Sequence, residues 1–237
     1  MRRIAIFVEG LTEQILVRRM LESVLQRNNI AIQTVKITGG HHSRMSFTVM
    51  QAAEVQRRTE YYVLIYDCGG ETNVKGYMLT QRKSLVERGY TCILGLRDVY
   101  PNFTHEEVPQ LRKGLNYQMP QKGAVTRIHL AIMETEAWFL GEYRHFSKVS
   151  PRLTPGFIEQ RLGFNPKTEN MELRNTPAED LKHIYRLVDR EYTKKRKKLN
   201  SIVEKLDFHY FTHGLAHKMQ SLGDFVRQLE DFFYQGY

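Results

Sequence analysis

Three short apolar runs leave this chain few ways to fold. Residues 4–8, 61–66 and 91–96 are almost continuously apolar rather than alternating. A strand reads that way when both of its faces are covered, as in a parallel sheet flanked by helices. Residues 31–37 and 124–133 add two further strand-length runs. Between the runs lie segments with apolar residues at helical spacing, predicting helices over 12–28, 47–58, 75–88 and 105–117. Gly10 permits a sharp turn after the first strand, Thr12 is placed to cap the first helix, and Gly89 is placed to stop the third.

Strands that alternate with helices imply βαβ units and a mainly parallel, Rossmann-like α/β sheet flanked by helices. The alternation stops near residue 140. Beyond it Pro151, Pro155, Pro166 and Pro177 divide the chain, and helices are expected over 177–188, 194–206 and 222–234. The expected organisation is an α/β catalytic core over 1–140 and a helical C-terminal subdomain over 141–237 that carries a basic patch.

At 237 residues the chain is long enough for one large core with an appendage. No apolar run approaches a membrane span, so no membrane partner is expected. Met1-Arg2-Arg3 leads directly into a strand without a signal-peptide pattern, which points to the cytoplasm. Cys68 and Cys92 fall in or beside buried strands and read as core thiols of a reducing compartment, not as a disulfide or zinc site. The formal charge of +9 favours a polyanionic partner. Its densest stretch is Tyr192-Thr193-Lys194-Lys195-Arg196-Lys197-Lys198. Arg57-Arg58, Arg82-Lys83 and Arg112-Lys113 form smaller groups.

Four of the five expected strands deliver an acid at their carboxyl ends: Glu9, Asp67, Asp98 and Glu134. The remaining strand delivers His41 and His42, which read as solvated loop residues or as contacts to substrate or metal. Open α/β sheets bind ligands beyond those ends. Carboxylates crowded together repel, and a hard divalent cation such as Mg²⁺ or Mn²⁺ relieves the repulsion. Taken singly, each acid is an ordinary loop residue, and Glu13 is an acid favoured in a first helical turn. Phosphate loops of the GxGxxG or GxxxxGK[ST] kind are absent, as are a serine elbow and an HExxH pair.

Val8-Glu9-Gly10-Leu11-Thr12-Glu13 resembles the glutamate motif that opens Toprim domains. In that superfamily the motif glutamate lies at the metal site and acts in acid/base chemistry, and an Asp-x-Asp motif binds Mg²⁺. The resemblance assigns Glu9 to the first role and Asp67 to the first aspartate. Gly69 stands where the second aspartate belongs, with Glu71 or Asp98 as substitutes. Met133-Glu134-Thr135-Glu136-Ala137-Trp138-Phe139-Leu140 is similar to the Glu-Ala-Trp signature of small bacterial Toprim-like proteins related to the overcoming-lysogenization-defect nucleases. Such proteins are found beside ABC-type ATPases in defence loci. The segments Asn175-Thr176-Pro177, Tyr192-Thr193-Lys194 and Ser221-Leu222-Gly223-Asp224-Phe225 resemble the C-terminal part of the same group.

The resemblance implies a Mg²⁺-dependent (or Mn²⁺-dependent) nuclease acting on DNA or RNA, tRNA included, as an anti-phage effector. It implies an ABC-type ATPase partner and is compatible with a homodimer. Glu9, Asp67, Asp98, Glu134 and Glu136 are the expected metal ligands. Glu9, Glu13 and Lys194 are the expected catalytic groups. Lys195, Arg196, Lys197 and Lys198 are expected to grip nucleic acid, and Lys194 reads equally as one more residue of that basic face. Trp138, Phe139 and Leu140 read as core packing. The competing readings are a non-catalytic Toprim-like module that binds nucleic acid and an ATPase, and an enzyme acting on small nucleotides.

Overall fold

A computed structural model describes residues 1–25, 29–40 and 43–235, without the side chains of Glu71 and Gln235. The chain divides into two compact units. Unit one comprises Met1–Arg97, Pro109–Leu130 and Leu229–Tyr237; unit two comprises Asp98–Val108 and Ala131–Gln228.

The sheet has six strands: β1 Arg2–Val8, β2 Ile30–Thr38, β3 Ser46–Gln51, β4 Tyr61–Asp67, β5 Tyr90–Asp98 and β6 Val125–Ala131. Their order is β3-β2-β4-β1-β5-β6. β1 pairs in parallel with β4 and β5, and β2 in parallel with β4. This is the mainly parallel α/β sheet that the apolar runs predict. Three helices accompany the strands: α1 Leu11–Val24, α2 Glu71–Glu87 and α3 Val108–Asn116.

The continuous apolar runs occupy the middle of the sheet. Ile4, Ala5, Ile6, Phe7 and Val8 are fully buried, as are Val63, Ile65, Cys92, Ile93 and Leu94. Each such aliphatic side chain contributes roughly 1.5–3 kcal/mol, an upper bound because the unfolded chain is already partly compact. Gly95 lets helix and strand approach closely: a Cβ there would stand 3.1 Å from Val74 on α2 and 3.0 Å from Ile128 on β6.

Two local expectations are corrected. Residues 47–58 do not form a helix. Ser46–Gln51 is a strand antiparallel to β2, with Ile37 opposite Phe47 and Val35 opposite Val49. Phe47, Thr48 and Val49 are aromatic or β-branched, and the open ladder of β2 overrides the helical spacing further along. Thr12 does not cap α1. The helix starts one residue earlier, with Gly10 at the N-cap position, and Thr12 is buried inside the first turn. The end of the helix expected over 12–28 lies outside the described residues, as do His41 and His42.

Unit two is built largely from short helices. They are α4 Glu136–Gly141, α5 Arg144–Val149, α6 Pro155–Leu162, α7 Pro177–Arg186, α8 Arg196–Val203, α9 Phe208–Tyr210, α10 Ala216–Lys218 and α11 Gln220–Glu230. Trp138 anchors this unit, 1 % exposed. Its ring stacks on Phe225 at 6.2 Å and its indole N–H donates to Ser221 Oγ at 3.0 Å. The Ser221 amide and hydroxyl in turn donate to the buried carboxylate of Glu172. The Glu-Ala-Trp segment and the Ser221 segment are therefore two sides of one packed core. No helix among the described residues is long and apolar enough to cross a membrane.

Candidate functional site

In unit one the parallel register brings two of the expected acids together. β1 ends at Val8, whose Cα partner on β4 is Asp67, so Glu9 emerges beside Asp67. Neighbouring strands lie about 4.8 Å apart. The chain beyond β4 is tied back to β1 twice: Cys68 N donates to Val8 O and Gly70 N to Glu9 O, both at 2.9 Å. Asp67 accepts the Gly69 amide at 3.0 Å through Oδ1. Gly69 has φ +67, a left-handed conformation that favours glycine over aspartate.

Both carboxylates act on one reporter. Burial pushes the Cys68 thiol far above the ordinary cysteine value, and the charges of Asp67 and then Glu9 push it further. Two carboxylates of this kind, completed by water, fit a hard oxygen-loving ion such as Mg²⁺. Among the described residues no group of three or more His, Cys, Asp or Glu side chains is placed to hold a metal ion. Glu13, 3 % exposed, turns back so that its Oε2 accepts the Gly10 amide at 2.9 Å, fixing the turn that carries Glu9.

Unit two contains the other expected acids, and they are engaged differently. Asp98 is buried, and its Oδ1 accepts both the amide and the hydroxyl of Thr135, at 3.0 and 2.8 Å. Glu134 Oε2 accepts the amide of Ala178 in the first turn of α7 at 2.9 Å. Burial, and next the charge of Glu136, raise the Glu134 pKa above its ordinary 4.5, while the Ala178 amide and Lys194 oppose the rise. Met133, just before it, has φ +59, a rare conformation for a side chain of that size. Its carbonyl accepts the amides of Val99 and Tyr100, which holds the bend that aims Glu134.

Glu136 is completely buried. Its Oε1 accepts from the Tyr192 hydroxyl at 2.7 Å and from Lys194 Nζ at 2.8 Å. Lys194 Nζ also lies 4.0 Å from Glu134 Oε1. Glu136 Oε2 and, between Tyr192 and Lys194, Thr193 Oγ1 are buried without a hydrogen-bond partner among the described residues. The structure thus gathers Glu134, Glu136 and Lys194 into one cluster. Sequence reasoning assigned Tyr192 no role; its signal was a lone tyrosine heading a basic run. Lys194 is half exposed, so the cluster presents a fixed ammonium whose position two carboxylates define.

The basic run continues as Lys195 at the N-cap of α8, then Arg196, Lys197 and Lys198, all exposed. Lys198 pairs with Glu191 at 2.6 Å. Leu199, Ile202 and Val203 face the core. Cations in a first helical turn oppose the helix dipole, at a cost of about 0.3–1 kcal/mol each, and a bound anion would relieve it.

A family model described as a domain of unknown function, DUF4276, matches residues 8–230, so the chain belongs to that family. No curated protein and no solved structure matches the chain.

Proposed function

We propose that this DUF4276 protein is a Mg²⁺-dependent phosphodiesterase acting on nucleic acid. The observation that carries the reading is the β1–β4 register, which pairs Asp67 with Val8 and so brings Asp67 and the following Glu9 out at the same edge of the sheet. There they would hold the cation, which would polarise a phosphoryl oxygen and supply hydroxide. Glu13 positions Glu9 through the Gly10 turn. In unit two, Lys194, held by Glu136, offers a cation to the backbone of a bound strand. Lys195, Arg196 and Lys197 hold the backbone of the strand through charge. The ATPase partner and the defence role enter this reading through the Toprim resemblance alone.

The test is incubation of purified protein with Mg²⁺ or Mn²⁺ and plasmid, single-stranded RNA or tRNA. Glu9→Ala and Asp67→Asn are expected to lower cleavage by about 10²–10³-fold with unchanged circular dichroism. Cleavage by folded Glu9→Ala at the wild-type rate sinks the proposal. Gly69 favours one second reading, a module that binds without cutting, because its backbone conformation disfavours a second aspartate. That reading predicts salt-sensitive binding and intact substrate under every metal condition.

A further inference from the structure

The sheet of unit one has a face that its helices cover only in part. Register places Val35 of β2, Val49 of β3, Tyr66 of β4 and Phe7 of β1 in one row across the sheet. Arg3, Tyr62 and Tyr90 form a second row on the same side. α2 packs over Gly95, the β5 partner of Phe7, through Val74 and Met78. Toward β3 that cover ends. An open cleft of about 360 Å³ lies there, walled by Phe47, Tyr62, Tyr66, Tyr90 and Arg88.

Its walls have a definite chemistry. Phe7 stacks on Tyr66 at 4.6 Å, and Tyr66 meets the edge of Phe47 at 6.2 Å. The row of rings ends in Phe47, which is 44 % exposed. Arg88 is held at the rim: its Nε donates to Ser84 O at 3.2 Å, and its guanidinium lies 5.5 Å from the Tyr90 ring. Arg3 donates to the Arg88 carbonyl at 2.9 Å and stands 6.0 Å from the Tyr62 ring. Burial raises all three tyrosine hydroxyls above their ordinary 10, Tyr90 to about 12, so each keeps its proton. None of the described lining residues is acidic.

An aromatic slot beside fixed guanidinium groups suits a flat ring carrying an anion. We infer that this cleft receives a nucleotide, its base against the exposed ring of Phe47, which Tyr66 backs from beneath, and its phosphate toward Arg88. Stacking of this kind tolerates any base, because every base has a π face. The inference deepens the nucleic-acid reading and rests on it, but binding rather than cleavage decides it. The nucleotide is either free or an unpaired residue of a bound strand.

The experiment uses full-length protein in EDTA, so that no cleavage intervenes. Three probes are titrated by fluorescence anisotropy or calorimetry: a single strand of about 12 nucleotides, an abasic strand of the same length and charge, and AMP. The base-bearing strand should bind about tenfold tighter than the abasic strand. Phe47→Ala should erase that margin with only a small change in melting temperature, since nearly half of the residue is already exposed. AMP binding that Phe47→Ala weakens assigns the cleft to a free nucleotide; a margin seen only with the strand assigns it to an unpaired residue. Equal binding of both strands with no AMP binding overturns the inference, and so does a Phe47→Ala protein that matches wild type on every probe. A Phe47-dependent margin in a protein that never cleaves would leave the inference standing and remove the hydrolase.

Discussion

The two units handle crowded carboxylates in opposite ways. In unit one, Glu9 and Asp67 are set side by side by backbone pairing, and their joint field is strong enough to bear on Cys68. In unit two, Glu134 and Glu136 share the ammonium of Lys194, the Tyr192 hydroxyl donates to the same Glu136 oxygen, and the Ala178 amide donates to the other oxygen of Glu134. On the proposed reading the first arrangement takes its counter-charge from a bound ion. The second carries its own counter-charge, so its acids contribute to folding as well as to any chemistry. Unit one should therefore lose activity before stability, and unit two should lose both.

The sharpest way to break this contrast is Glu136→Ala. It strips a fully buried acceptor from Tyr192 and Lys194, and should cost about 3–5 kcal/mol in denaturant unfolding. Lys194→Met leaves the fully buried Glu136 carboxylate with the Tyr192 hydroxyl but no counter-charge, and should cost about 3–5 kcal/mol by the same measurement. Tyr192→Phe removes one hydrogen bond to a charged group and should cost about 1.5–3 kcal/mol by the same measurement. Asp67→Asn keeps the oxygen that accepts the Gly69 amide and should change stability by under about 1 kcal/mol. A larger loss from Asp67→Asn than from Glu136→Ala would reverse the assignment of roles.

The smallest expected effect is one of pH. Glu134 has a folded pKa above its ordinary 4.5, so the folded state binds its proton more tightly than the unfolded chain does. Its contribution therefore favours folding below 4.5 and is lost as pH rises through the folded value. Glu134→Gln should flatten the dependence of melting temperature on pH just above 4.5, and an unchanged slope would contradict the burial argument.

The central strands were legible because burial on both faces writes a continuous apolar run, as in residues 4–8. That Glu9 and Asp67 leave the sheet at one edge was legible because parallel strands share their carboxyl edge. Other features leave little trace in sequence. The β3 strand depends on a partner ladder that local spacing cannot reveal, and the spacing of residues 47–58 imitates a helix. Tyr192 meets Glu136 across 56 residues. The positive φ of Met133 is imposed by the two amides its carbonyl accepts, not by the residue itself.

Glu134 has a double duty with a mechanical consequence. One of its oxygens closes the amino end of α7, 44 residues further along the chain, where backbone donors otherwise go unmatched. The other oxygen lies toward Lys194. A ligand that took this oxygen from the Ala178 amide would unlatch α7, so a change at Glu134 would be felt as loosening of a helical turn far along the chain.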